Sequence, residues 1–396
     1  MTSQPLPFFQ VRENAHIDAS QPLAQWYPFP WYQVMREQAP VYYDESLHSW
    51  SFFRYEDINR ILHDYEAFSS QLQAEAADDD TMLTLDPPRH HQLRALVSQA
   101  FTPRMLSQLT PRITQIIDEI LDQVTQSTHT DAIAAIGFPF PSAVIAEMLG
   151  VPREDRDILQ EWTETVMVEQ SSAMRPISPK AGQAYLYLQD LVKKRQRNPG
   201  EDMISQLIRA QIDGKHLDFT EIVTFCSLLY FAGYETTINL IGNSFLCMHM
   251  FPEQEAKLRA QPALAPGFVE EVLRYCSSIQ FTIRRVKHDV VVAGQQLHEN
   301  DRLVLWLGSA NHDEAAFPNA EHFDLQRTPN KHLAFGTSIH ICLGAPLARL
   351  NASTALPRIL ARMQDIHLDP TARLERVPRV VAFGVKSLPI TFRPVQ

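Results

Sequence analysis

The stretch from 220 to 250 constrains the fold more than any other part of the sequence. It holds no lysine or arginine, and after Glu221 its one carboxylate is Glu235. It is long enough to span a bilayer, but Glu235, Asn239, Asn243 and His249 break the apolar run. A helix that is apolar on nearly every side needs protein around its whole circumference. A chain of 396 residues can supply that surround in one large core. The expectation is a helix buried through the middle of a water-soluble fold.

Charge and cysteine content narrow the class. With 35 Lys and Arg against 46 Asp and Glu, the net charge is −11. A nucleic-acid binder needs a basic face to meet phosphates, so that class is excluded. Cys226, Cys247, Cys276 and Cys342 are widely spaced and form no CxxC pair. This excludes a disulfide scaffold and fits a reducing cytoplasm. The start, Met1-Thr-Ser-Gln-Pro-Leu-Pro, has no basic segment followed by an apolar run, so no signal peptide or membrane anchor is expected. No linker or repeat divides the chain, which is read as a single domain over 1–396.

Periodicity predicts helices over 55–63, 89–100, 105–126, 153–169, 181–197, 203–212, 252–260, 268–275 and 346–364. Strand patterns fall at 41–43, 50–53, 281–286, 290–292, 302–306, 380–383 and 388–392. The class is mainly α with small β-sheets near both ends. Segment 71–84, with Asp78-Asp79-Asp80, reads as a solvated loop.

Chemistry concentrates at Phe335-Gly336-Thr-Ser-Ile-His340-Ile-Cys342-Leu-Gly344-Ala-Pro346. Proline suits a first helical turn, so Cys342 lies just before a helix N-terminus. Backbone N–H groups there favour a thiolate, the form that ligates metals. Zinc is a poor fit, because no second ligand pair stands at finger spacing. Cys226, Cys247 and Cys276 sit in helical patterns and read as small core hydrophobes. A second cluster, Phe231-Ala232-Gly233-Tyr234-Glu235-Thr236-Thr237, interrupts the long helix. Ala232 and Gly233 share a face with Thr236, and their small side chains leave room for a diatomic ligand. Thr236 can bond back to a carbonyl one turn earlier. Glu235, in so apolar a run, needs a partner or a task.

The spacing FGxxxHxCxG resembles the haem-binding signature of the cytochrome P450 family, in which the cysteine is the axial iron ligand. Three further segments agree. The Ala232–Thr236 cluster is similar to the family's oxygen groove with its acid–alcohol pair, which makes Glu235 and Thr236 the implied catalytic residues. Glu271-Val-Leu-Arg274, completed by Arg327, resembles the ExxR core element and implies a structural role. Haem propionates need cations or donors, and His90, Arg94, Arg284 and His340 fall where the family has such partners. Ala232, Gly233, Phe335, Gly336 and Gly344 are the remaining implied haem neighbours. Departures are Ser338 where a second glycine is usual, Ser278 for a proline and His312 for an arginine.

The resemblance runs from about 28 to 392 and implies the cytochrome P450 fold, with haem b (iron protoporphyrin IX) between the long central helix and the cysteine-loop helix. The implied reaction inserts one atom of O2 into a C–H bond of a small apolar substrate. The chain has no flavin or nicotinamide signature, so electrons must come from a ferredoxin or flavodoxin with its reductase. Lys331 and Arg349, on the cysteine side, are the candidate docking cations. By position, the substrate pocket would be walled by Met82, Leu83, Phe225, Leu229, Ala232, Ile279, Phe281, Ile283, Ala382 and Phe383. Family analogy points to a steroid, terpenoid or fatty-acid-like molecule, and to a monomer. The rivals are a peroxide-driven fatty-acid enzyme, which typically lacks the acid–alcohol pair, and a haem-thiolate sensor, which would not need an oxygen groove.

Overall fold

The structure is a computed structural model that describes residues 16–17, 26, 28–72, 81–156 and 179–395. Its axis is the helix Phe219–Met250. Asp218 and Glu221 begin it with reciprocal side-chain-to-backbone bonds of 2.8 and 2.9 Å, satisfying two donors of the first turn. Helices Pro139–Leu149, Pro179–Arg197, Ala265–Tyr275 and Ala345–Arg362 pack around this rod. It buries Ile222, Val223, Phe225, Tyr230, Ile241, Phe245 and Leu246, among others. At roughly 1.5–3 kcal/mol for each large apolar side chain, burial rather than propensity holds this helix. No helix among the described residues is long and apolar enough to cross a membrane.

The main sheet has five strands in the order Val41–Asp44, Ser49–Phe52, Arg302–Leu305, Thr282–Val286 and Phe68–Ser69. Ser49–Phe52 and Arg302–Leu305 run parallel, and the other pairs are antiparallel. Strands Met363–Leu368, Pro389–Pro394 and His129–Asp131 form a second, antiparallel sheet.

Most expected elements are present, with instructive differences. The helix expected over 203–212 stops at Arg209. Asp213 and Gly214, at φ 51° and 73°, then turn a two-residue hairpin between Gln211–Ile212 and Lys215–His216. The strand expected at 380–383 is absent. Instead that segment makes an isolated bridge, Ile279 to Ala382, within a loop that closes from Arg376 to Val385. Helices Phe29–Gln38 and Pro139–Leu149 are additions. Their prolines look like breakers in sequence but lie in the first turn, where a missing N–H costs nothing. Of the helix expected over 153–169, a 3-10 turn, Arg153–Asp155, is described, and 157–169 lie outside the described residues. The acidic run Asp78-Asp79-Asp80 does too.

Candidate active site

Cys342 sits where the sequence placed it, at the end of a loop leading into helix Ala345–Arg362, which carries Pro346 in its first turn. Its N–H donates to the Phe335 carbonyl at 2.8 Å, and the Gly336 N–H to the Leu333 carbonyl at 2.8 Å. Gly336 has φ 65°, which glycine adopts without penalty. Ser338 keeps φ 59° despite its Cβ. The loop therefore retains a left-handed turn there, at about 1–2 kcal/mol. Cys342 is exposed, unlike the other three cysteines. Enough protein nevertheless surrounds it for burial to push its thiol pKa up. Hydrogen bonds from the Gly344 and Ala345 N–H groups, and the charges of Arg94 and Arg349, act in the opposite direction. The helix terminus thus favours the thiolate as expected, but desolvation outweighs it.

The loop is anchored from beneath. Glu271 and Arg274 are both fully buried and pair through two contacts of 2.8 and 2.9 Å. Arg327 Nε, Asn330 Nδ2 and the Asp324 N–H also donate to Glu271, at 3.0, 3.0 and 2.9 Å. Arg274 donates to the Asn311 carbonyl at 2.8 Å, and Asn311 Oδ1 accepts from Leu333 N–H at 2.7 Å. His312 bridges Glu321 at 3.1 Å and the Tyr275 carbonyl at 2.8 Å.

Beside it, Glu270 meets Arg349 at 2.6 Å and His332 at 3.2 Å. Arg349 also lies 4.6 Å over the Phe335 ring. Arg349 is thus ion-paired within the protein while its side chain stays 40% exposed, and Lys331 is exposed too. Burial raises the Glu270 carboxyl pKa, but hydrogen bonds from His332 and Arg349 outweigh it and bring the pKa to about 2. A carboxyl held below its ordinary 4.5 stabilises the fold above that pH and loses this as pH falls toward 2. Arg349→Ala is expected to move the acid-unfolding midpoint, followed by far-ultraviolet circular dichroism, to higher pH. An unmoved midpoint contradicts this account.

Four basic side chains converge near Cys342. The His90 and His340 rings stand 4.1 Å apart. Burial first, then neighbouring positive charge, lowers His90 to about 4 and His340 to about 3. Burial also lowers Arg94, against the pull of Cys342, and lowers Arg284 to about 10. Among the described residues, Arg284 donates within its own strand, to Thr282 Oγ1 at 3.3 Å and the Ile283 carbonyl at 2.7 Å. Both ring nitrogens of fully buried His90 and Nε2 of His340 find no partner among the described residues. Buried donors and cations without acceptors call for an anion. The two propionates of a haem would fit that donor set.

On the central helix, Thr236 Oγ1 donates to the Ala232 carbonyl at 2.9 Å, the expected back-bond. Thr237 repeats it to Gly233 at 2.7 Å, and Ser278 Oγ donates to the Thr236 carbonyl at 2.9 Å. Ala232 is exposed and Thr236 partly so. A Cβ at Gly233 would come 3.1 Å from Ile145 Cδ1, so its small size also lets helix Pro139–Leu149 approach. Glu235 is buried and meets Arg379 at 2.5 Å. That partner, 144 residues away, carries no local sequence signal.

The proposed pocket wall is only partly assembled. Phe225 and Leu229 are buried on the central helix, and Met82, Ile279, Phe281 and Ile283 are partly buried. Leu83 is 58% exposed. Ala382 and Phe383 are fully buried. The Phe383 ring lies 5.3 Å from Phe29 and 5.4 Å from the Arg376 guanidinium. Phe383 is thus a core residue and not the lining expected from sequence.

A helix-rich body with a buried central helix, a small sheet and a cysteine loop before a second helix defines the cytochrome P450 fold. The sequence model of the family, Cytochrome P450, matches residues 47–262 and 261–391. Cyclomarin C epoxidase CymV of Salinispora arenicola is 35% identical, covering 92% of this chain and 95% of its own. Cytochrome P450 CYP109E1 from Bacillus megaterium, solved with testosterone, is 36% identical with TM-score 0.85, over 92% of this chain and 99% of its own. CYP109E1 has also been solved with corticosterone. CYP109Q5 from Chondromyces apiculatus is 35% identical with TM-score 0.87, over 96% and 98%. The chain belongs to the cytochrome P450 family and is a monooxygenase.

Proposed function

We propose that this enzyme oxygenates a C–H bond of a small, steroid-like apolar molecule, with Cys342 as the axial thiolate of haem b. The observation that carries the cofactor assignment is the unanswered basic set, His90, Arg94, Arg284 and His340, beside the exposed cysteine. These four residues would hold the propionates, while Phe335, Gly336 and Gly344 shape the thiolate loop. When bound, the haem supplies activation of O2 and transfer of one oxygen atom to substrate. Thr236 and Glu235 hold and pass protons on the opposite side. Ala232 leaves space beside Thr236. Apolar Phe225, Leu229, Ile279, Phe281 and Ile283, with Met82 and Leu83 at the loop end, suit an apolar ligand. The testosterone and corticosterone complexes of CYP109E1 support a steroid over a terpenoid or fatty acid. Electrons come from a separate ferredoxin or flavodoxin with its reductase, and Lys331 and Arg349 are the candidate contacts.

The test is a visible-absorption titration of the purified, haem-loaded enzyme with testosterone, a terpenoid and a fatty acid. Testosterone is expected to shift the Soret band to shorter wavelength. A shift with the fatty acid or terpenoid alone overturns the steroid assignment. Failure to take up haem after reconstitution overturns the cofactor assignment.

A further inference from the structure

Helix Arg89–Ala100 carries two of the four basic side chains, His90 and Arg94, near its start. Its grip on the rest of the molecule is uneven. The buried apolar side chains, Leu96, Val97 and Ala100, all lie in its second half. There Gln99 also exchanges two bonds with Gln211: Nε2 donates to the Gln211 carbonyl at 3.0 Å, and Oε1 accepts the Gln211 N–H at 3.3 Å. The first turn has less to hold it. Pro88, at the N-cap, makes no side-chain bond, and the turn has no acidic residue to meet the positive end of the helix dipole. Arg89 stands there instead.

Two carboxylates tie this turn down. Asp86, just before the helix, accepts from Ser69 Oγ at 2.6 Å and from the Ser70 N–H at 3.0 Å, which fastens the segment to the main sheet. Its carbonyl accepts the His90 N–H at 3.0 Å. Glu221, in the first turn of the central helix, pairs through Oε1 with Arg89 and fastens the same turn to that helix. Its other oxygen, Oε2, accepts the Asp218 N–H of the capping box. The capping box therefore fixes the Glu221 side chain in place, so pairing with Arg89 costs it little further freedom. Arg89 is steadied as well, by a bond of 3.2 Å to Gln92 Oε1.

We propose that Arg89 and Glu221 are positioning residues for the cofactor: their ion pair latches the turn that bears His90 and Arg94 to the start of the central helix, and so sets how firmly haem is held. The inference rests on His90 and Arg94 being propionate partners. A latch works by holding the turn in place, so breaking it from either side has the same effect. A role as plain charge has opposite effects. Removing the positive Arg89 weakens attraction for an anion, and removing the negative Glu221 strengthens it.

The experiment follows transfer of haem from the loaded enzyme to excess apomyoglobin, by visible absorption. The variants are Arg89→Gln, Arg89→Lys, Glu221→Gln, the double Arg89→Gln with Glu221→Gln, and Arg94→Gln. Glutamine at 221 keeps an acceptor for the Asp218 N–H, so the start of the central helix is preserved. Arg89→Gln and Glu221→Gln are each expected to lose haem roughly two to five times faster than wild type, the range open to a partly exposed ion pair. The double variant is expected to lose it no faster than either single one, because both remove one shared contact. Arg89→Lys is expected to restore most of the wild-type rate. Faster loss in Arg89→Gln with slower loss in Glu221→Gln overturns the latch in favour of plain charge. Wild-type rates in both overturn it too, and leave the donor assignment standing where Arg94→Gln loses haem faster. An unchanged rate in Arg94→Gln overturns the donor assignment itself. Should Glu221→Gln not fold, a wild-type rate in Arg89→Gln, or no recovery in Arg89→Lys, overturns the latch equally.

Discussion

Glu271→Leu is expected to destabilise the protein by about 3–5 kcal/mol, the usual cost of leaving one member of a buried ion pair without its counter-charge. Arg274 is fully buried, and without Glu271 it keeps only carbonyl acceptors, Asn311 at 2.8 Å and His322 at 3.4 Å. Arg327, Asn330 and the Asp324 N–H lose their shared acceptor at the same time. The loss is larger than for Arg349→Ala, which strands only the partly exposed Glu270, still bonded to His332. Urea unfolding at neutral pH measures it, and a change below about 1 kcal/mol, the level of an exposed pair, sinks the argument. The double variant Glu271→Leu with Arg274→Met is expected to recover part of the loss, because neither charge is then left alone. Recovery would separate the cost of a stranded charge from the cost of misfitting volume. Because Asn311 connects Arg274 to Leu333, the single variant is also expected to loosen the cysteine loop.

What was readable in the sequence was local. The Cys342 loop is written in glycine and proline positions within ten residues, and Glu271 and Arg274 share a helical face at i,i+3. The back-bond of Thr236 needs only its own helix. Contacts between distant segments were not readable. Glu235 plainly needed a partner, but Arg379 lies 144 residues away in a loop of no regular structure. Glu270 claims Arg349 across 79 residues, a pairing with no local signal. Gly233 shares a helical face with Thr236, and its approach to Ile145 of another helix is a further contact with no local signal. Segment 380–383 reads as a strand because it is apolar, but apolarity there reflects burial of Ala382 and Phe383 against the helices, not a ladder.

Cys342→Ser is expected to reduce monooxygenase turnover to background while leaving the fold within about 0.5 kcal/mol of wild type, as for an exposed substitution outside the core. Serine keeps the size and the Gly344 and Ala345 N–H donors, but its hydroxyl is far harder to ionise than a thiol, so the anion that would ligate the iron is lost. The reduced, carbon-monoxide-bound protein reads this directly. Its Soret band is expected to lose the red-shifted position of a thiolate-bound haem, even where haem is retained by His90, Arg94, Arg284 and His340. Persistence of that band would require another cysteine to be the ligand. Cys226, Cys247 and Cys276 are all buried. Burial drives the Cys226 thiol to about 12 and raises that of Cys247 well above its ordinary value. Cys247 and Cys276 face each other at 3.8 Å across the joint between the central helix and the Glu271 helix. None of the three reaches the His90–His340 donor set, so Cys226→Ala is expected to leave the band and the turnover unchanged. The pair of variants therefore tests the assignment of Cys342 by where the thiolate signature is lost and where it survives.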